Sequence, residues 1–342
     1  MSCCDETTAR VPPTDLSRRS LLKGAAVIAS VLPGATQAQG RSIKLAYCSQ
    51  LLCGVPYEVA RSAGHFKKHG LNVELVYTRG GSAAMQALVG NAVDYAATSL
   101  DVAITAFSKG AAIKRFAVTG RLPLFALVTA PKTAGEVKGV GDLQGRTVAV
   151  SGLGNADHAL ALYLLAQAKA DASKVKFATM GVNLLEALRQ GQVDAGLVQE
   201  PALTVLQRSG ARVLVNAMDI TDARRYLGGT YEFMGVAVRT KEMDQRKDEM
   251  VMLVRALADA LKAMRSMSGS DLIAALPKEM VTGLDTKEFG EIIARYRDSL
   301  YPEAVNIDLA AADRVAQTLI VAGLLPAGTS ISGLHDTAIA KG

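Results

Sequence analysis

Tryptophan is absent from the 342 residues and aromatic residues make up only 5% of them, which argues against a sugar cleft walled with aromatic faces. Lysines and arginines are spread thinly, with no basic run interleaved with aromatics, so nucleic acid is a poor candidate partner. Beyond the first forty positions no stretch approaches the roughly 20 apolar residues of a membrane-spanning helix. No G-x-S-x-G, Walker loop or H-E-x-x-H occurs. What is present is a chain 49% hydrophobic and only 20% charged, which excludes disorder and supplies a large core.

The first forty residues follow different rules. "SRRSLLKG", Ser17 to Gly24, sets twin arginines before the short apolar run "AAVIASVL", which breaks at Pro33 and Gly34 and offers small residues at Thr36 and Ala38. This is the pattern of a Tat-type export signal cleaved after Ala38, and it predicts a periplasmic protein that uses the Tat machinery. Its removal takes four of the 38 basic and three of the 32 acidic residues, leaving a net charge of about +5. Cys3 and Cys4 leave with it. Cys48 and Cys53 stay, in an oxidising compartment where a bridge between them could persist.

Apolar strand-like runs at 42–47, 72–77, 115–120, 147–152, 175–180 and 212–216 alternate with amphipathic helical patterns. The alternation predicts βα units building parallel sheets covered by helices. From Lys241 onward helical patterns dominate, as in "MVMLVRALADALKAMRSM", "EFGEIIARYRDSLY" and "AAADRVAQTLIVAGLL". That tail reads as a helical appendix.

One phrase is written twice, "ALVGNAVD" at 87–94 and "ALRQGQVD" at 187–194, with Gly81 and Gly181 upstream in the same register. Each copy predicts a glycine loop, a helix, a tight turn at Gly90 or Gly191, and a buried strand after Val-Asp. Two matched lobes follow: 42–125 as the first part of lobe 1, 126–232 as lobe 2, and 233–342 as the return to lobe 1 with the C-terminal helices. "RLPLFALVTAP" and "EFMGVAVRT" are the expected crossings, forming a hinge near Leu124 and Gly235. Each loop exposes backbone N–H groups at the positive end of a helix dipole, which suits a carboxylate, sulfonate or phosphate.

"TVAVSGLGNADHALALYLLAQA" has the order strand, G-x-G, helix, but Asp157 stands where a dinucleotide fingerprint needs its third glycine, so no cofactor is expected. His65 and His69 are four apart without an accompanying Cys, Asp or Glu in a ligand pattern, so no metal is expected either. Glu200 before Pro201 fits two roles, complementing a ligand amine or capping the helix that follows.

Pro56-Tyr57, Ala60, Gly64, Phe66, Gly70-Leu71, Val73 and Gly80-Gly81-Ser82, followed by "ALVGNAVDYA", "DLQGRTVAV" and "EALRQGQVDAGLVQEPA", resemble the NMT1/THI5-like group of extracytoplasmic solute-binding proteins. The resemblance implies a type II periplasmic-binding-protein fold, α/β, with two lobes joined by two crossovers and a helical C-terminal part. It implies a monomer that captures a small, anionic organic molecule and delivers it to an ABC transporter permease. Carried onto this chain, the ligand-binding positions are Gln50, Cys53, Arg79, Gly80, Gly81, Ser82, Thr98, Ser99, Asn155, Asp157, His158, Asn183, Gln199 and Glu200, with Arg79 as the salt partner. The same stretch also resembles sulfinate desulfinases of that fold through Cys53, Val55, Pro56, Arg79, Gly80 and Gly81. In that alternative Cys53, its pKa lowered by a helix N-terminus and Arg79, is the nucleophile. The cysteine-rich motif of THI5-type pyrimidine synthases is missing.

Overall fold

The computed structural model describes residues 41–48 and 51–341. The export signal expected in 1–38 and the candidate Gln50 therefore lie outside the described residues. Strands β1 (Arg41–Cys48), β2 (Leu71–Thr78), β3 (Tyr95–Ser99) and β4 (Ile113–Val118) enter a first sheet, and β5 (Ala126–Thr129), β6 (Thr147–Val150), β7 (Lys176–Thr179), β8 (Ala195–Val198) and β9 (Val213–Asn216) a second. The chain then returns to the first sheet through β10 (Met234–Arg239). The orders are β2-β1-β3-β10-β4 and β7-β6-β8-β5-β9, one pattern used twice.

The sheets are mixed rather than parallel. β10 runs antiparallel to β3 and β4, and β5 antiparallel to β8 and β9. The cause is the crossing itself. A strand that arrives from the other sheet enters at the end where the βα strands finish, so it runs against them. The two crossings pair with each other. Thr119 and Gly120 donate to the Met234 carbonyl at 2.8 and 3.1 Å, Phe233 to Gly120 at 2.8 Å and Tyr231 to Arg121 at 2.9 Å.

The repeated phrase builds the same device in each sheet. In one copy Asp94 accepts the Lys44 N–H at 2.7 Å, and in the other Asp194 accepts the Thr147 N–H at 2.8 Å, so each carboxylate fixes the start of the neighbouring strand. Val93 and Val193 are buried beneath. The left-handed residue of the turn is Asn91 (φ 63°) in the first copy and Gly191 (φ 65°) in the second. Gly90, expected to make the first turn, has an ordinary φ of −76° and closes the helix Gly81–Val89. Asparagine is the residue besides glycine that most readily adopts this conformation.

The helical tail is not an appendix. Helix Lys247–Ser266 buries Met250, Leu253, Leu257, Leu261 and Met264 at spacings of three and four and packs on the helix Leu51–Ser62. Helix Thr286–Leu300 ties to the second sheet through Asn216 Nδ2, which donates to the Tyr296 hydroxyl at 2.9 Å. Helix Leu309–Val321 packs on Leu100–Ser108, which follows β3, and on Ala156–Gln167, which follows β6. Tertiary burial of their apolar stripes places these helices, not their order in the chain.

Candidate functional site

Three helices begin at the carboxyl ends of strands and turn their first residues toward the gap between the sheets: Gly81–Val89, Leu100–Ser108 and Ala156–Gln167. Their N-cap residues are Gly80, Ser99 and Asn155, and none of the three makes a side-chain capping bond. All three line one small, partly open cavity of about 20 Å³. A helix start leaves its first N–H groups without intrahelical partners, so partial positive charge gathers on this space from three directions, offset in part at two of them by Asp101 and Asp157, which are buried in the first turns of their helices. The Gly80 backbone, at φ 127°, takes a conformation L side chains rarely adopt, and a Cβ on Gly81 would meet the Thr98 hydroxyl at 2.4 Å. Backbone conformation at Gly80 and the close approach of the Thr98 side chain at Gly81 account for the two glycines.

Of the residues expected at the site, Cys53, Gly80, Gly81, Ser99, Asn155 and Asp157 line this cavity, joined by Cys48, Val102, Ser151 and, from the two crossings, Phe125, Phe233 and Met234. A second cavity of about 310 Å³ adjoins it, Phe125 and Ser151 bordering both, and is lined by Gln199 and Glu200 with Leu184, Leu185, Leu197 and Val198. Asn183 is exposed beside this second space rather than in its wall. Ser82 Oγ donates to the Gly154 carbonyl at 3.2 Å, joining the two lobes at the cleft rim. Thr98 is fully buried behind the Gly81 turn.

Two expected residues stand elsewhere. Arg79 is exposed and lines neither cavity; β2 is the edge strand of its sheet, and the bend after it turns the side chain to solvent. Among the described residues, neither cavity has a lysine or arginine in its lining. His158 is half-buried, receives the Gly154 N–H at Nδ1 (3.3 Å) and sets its ring edge-on to Phe177 at 4.8 Å, outside the cavity wall.

The electrostatics follow from burial. Asp157 accepts from the Ser151 backbone N–H and, at 2.9 Å, from its hydroxyl, yet burial pushes its carboxyl up to about 6. Glu200 accepts from the Thr204 N–H at 3.0 Å and its hydroxyl at 3.1 Å, so it holds the start of helix Ala202–Arg208; burial raises its pKa as well. Cys53 is moved the opposite way from the nucleophile expectation: burial first, then Cys48 beside it, push the thiol well above its ordinary range, and the Gln199 side chain only partly offsets this. With Arg79 in solvent, nothing cationic faces the sulfur from that turn. Cys48 and Cys53 are both free thiols. Away from the cleft, Asp259 accepts from His69 Nε2 at 2.9 Å and from Lys68 Nζ at 2.7 Å, an ion-pair cluster on the first-lobe surface.

The sequence reasoning missed Phe125, Phe233 and Met234. Their signal was available, because a bulky apolar residue on each crossing has to sit at the floor of the cleft between the lobes. It also missed Arg115, which follows Lys114 on β4 and is fully buried behind that floor.

Solved structures agree on the fold. A protein of Bordetella bronchiseptica superposes with a TM-score of 0.80 at 23% identity, covering 89% of this chain and 96% of that one. The periplasmic aliphatic sulphonate binding protein SsuA from Escherichia coli gives 0.66 at 21%, covering 85% and 91%. The periplasmic nitrate-binding protein NrtA from Synechocystis gives 0.69 at 14%, covering 89% and 88%. No curated protein sequence matches significantly. The fold is that of periplasmic binding proteins. The family described as NMT1/THI5 like matches residues 55–267, more than half of the chain, and the chain belongs to that family.

Proposed function

We propose that the protein is an extracytoplasmic solute-binding protein of an ABC importer, which closes two lobes on a small organic anion and passes it to a permease. The observation that carries this is the convergence of three helix N-termini without side-chain caps on one interlobe cavity. Backbone N–H groups and helix dipoles are an anion site that needs no cationic side chain. The adjoining space, walled mainly by leucine, valine and phenylalanine, suits an apolar body attached to that anionic head. A sulfonate or carboxylate with a short aliphatic or single-ring body matches the chemistry of both parts, the lobes parting to admit a head larger than the 20 Å³ of the first space. The names of SsuA and NrtA, an aliphatic sulphonate and a nitrate binder, belong to the same range of anions. We read the chain as an exported monomer, delivered by the signal in residues 1–38.

A desulfinase-like enzyme needs a reactive thiolate, and burial of Cys53 opposes one. The test of the receptor reading is a thermal-shift screen of alkane- and arylsulfonates, aromatic carboxylates, nitrate and pyrimidines. A ligand at a hundredfold excess over its dissociation constant adds about 2.7 kcal/mol to stability. The expected result is a clear shift with amphiphilic anions and none with pyrimidines; absence of any anion-induced shift overturns the proposal. Sulfite release from an aromatic sulfinate that is lost in Cys53→Ser would favour the enzyme instead.

A further inference from the structure

The interlobe cavity holds two thiols that recognition of an anion does not use. Cys48 ends β1 and Cys53 lies in the first turn of helix Leu51–Ser62; both are free, both are buried, and both line the same cavity. Their side chains hydrogen-bond each other, and the side chain of Gln199, which follows β8 in the opposite sheet, hydrogen-bonds the Cys53 sulfur. One buried cysteine is a small apolar filler. Two in contact, with one of them also joining the lobes, make a chemical couple at the point where the cleft closes.

We propose that Cys48 and Cys53 are a reversible dithiol–disulfide pair, oxidised by an external disulfide, whose bridge weakens the closed cleft. Closure shuts the oxidant out, so reaction proceeds through the open form. There one cysteine thiolate attacks the external disulfide RSSR, forming a mixed disulfide and releasing RS⁻. The other cysteine loses its proton, and its thiolate attacks the protein sulfur of the mixed disulfide and expels the second RS⁻. In sum two protein thiols are oxidised to one disulfide while RSSR is reduced to two RSH. The bridge draws the Cys53 sulfur to about 2.05 Å from that of Cys48 and leaves it a poorer acceptor, so the hydrogen bond it receives from Gln199 is weakened. By linkage, whatever holds the lobes shut protects the thiols, and the bridge disfavours the shut form.

The test uses the full chain with oxidised glutathione, followed by peptide mass mapping, and by hydrogen exchange across residues 195–208, which belong to the opposite lobe. The expected result is the loss of two hydrogens from a species linking Cys48 to Cys53, with faster exchange in 195–208. Dithiothreitol reverses both, and Cys48→Ser shows neither. Should that variant not fold, reversal in the wild type carries the test. Glutathione adducts that persist on separate cysteines, thiols that stay reduced, or a bridge that leaves exchange in 195–208 unchanged would each overturn the proposal.

Discussion

Arg115 and Glu232 form an ion pair, Nη2 to Oε1 at 3.3 Å, with their side chains 0% and 1% exposed. Arg115 stands on β4 and also donates to the Phe233 carbonyl at 3.2 and 3.3 Å and to that of Thr98 at 3.4 Å. Glu232 lies on the crossing back to the first sheet. One guanidinium thus grips the second crossing directly behind Phe233 and Met234, which form the cavity floor. Burial drives the Glu232 carboxyl up to about 7 against the pull of Arg115. The pair fixes where the second crossing meets the sheet.

Removing one partner from this pair strands the other. At pH 8, above the Glu232 pKa, Glu232→Gln should cost about 3–5 kcal/mol in urea unfolding, because a buried guanidinium loses its counterion. The double variant Arg115→Met with Glu232→Leu, which removes both charges, should recover a large part of that loss. A cost below about 1 kcal/mol for Glu232→Gln would mean that the pair is not desolvated.

Much of the fold was legible because the sequence alternates strongly. All six strand-like runs coincide with strands, at β1, β2, β4, β6, β7 and β9. The antiparallel placement of β5 and β10 was not legible, because an apolar run carries no direction; direction comes from which sheet the chain has just left. At the site, the glycines and polar residues before helices pointed to the cavity, since a helix start has a local signature. Arg79 misled because a loop arginine next to a glycine pair gives no sign of which way an edge strand turns it. Cys53 misled for a related reason. Sequence places a thiol near a helix start, but the lobe closing over it decides its burial, and burial sets the sign of its pKa shift.

The turn of the repeat offers a local test. Asn91 and Gly191 are in the left-handed region, while Gly90 is not. Gly191→Ala should destabilise by about 1–2 kcal/mol, the cost of a Cβ in that conformation. Asn91→Gly, which copies the second turn into the first, should be neutral or stabilising by up to about 1 kcal/mol. Chemical denaturation of both variants decides. Equal losses at the two positions would show that the turns are not equivalent.

His335 forms an isolated bridge with Arg115 through the backbone, and it is half-buried with both ring nitrogens out of solvent; burial first, then the positive charge of Arg115, lower its pKa to about 4. The folded protein therefore resists protonating it, whereas the unfolded chain takes up the proton near the ordinary imidazole value of 6.5. Its contribution to stability is complete above pH 6.5 and declines as the pH falls from there toward 4. The expected acid-side loss from this residue is up to about 2 kcal/mol after allowing for partial exposure. His335→Leu should flatten the stability profile between pH 6.5 and 4 relative to wild type. Parallel profiles for the two proteins would show that the imidazole titrates freely.

Asp157 ties ligand charge to pH. Its carboxyl lines the small cavity and, without ligand, titrates near 6. An anionic head placed among the same helix starts repels the carboxylate, so the bound state raises that pKa further. Binding then takes up a proton at any pH between about 6 and the higher bound value. Affinity should increase as the pH falls through this window, by at most tenfold per unit, and level off below about 6, where Asp157 is already neutral. Asp157→Asn should be insensitive across the same range while keeping an acceptor for the Ser151 N–H, so that the start of helix Ala156–Gln167 is preserved. Calorimetric titration of a sulfonate, whose own charge is constant from pH 5 to 8, measures this in both proteins. If the two show the same pH dependence, the titrating group is another residue and the anionic head does not sit beside Asp157.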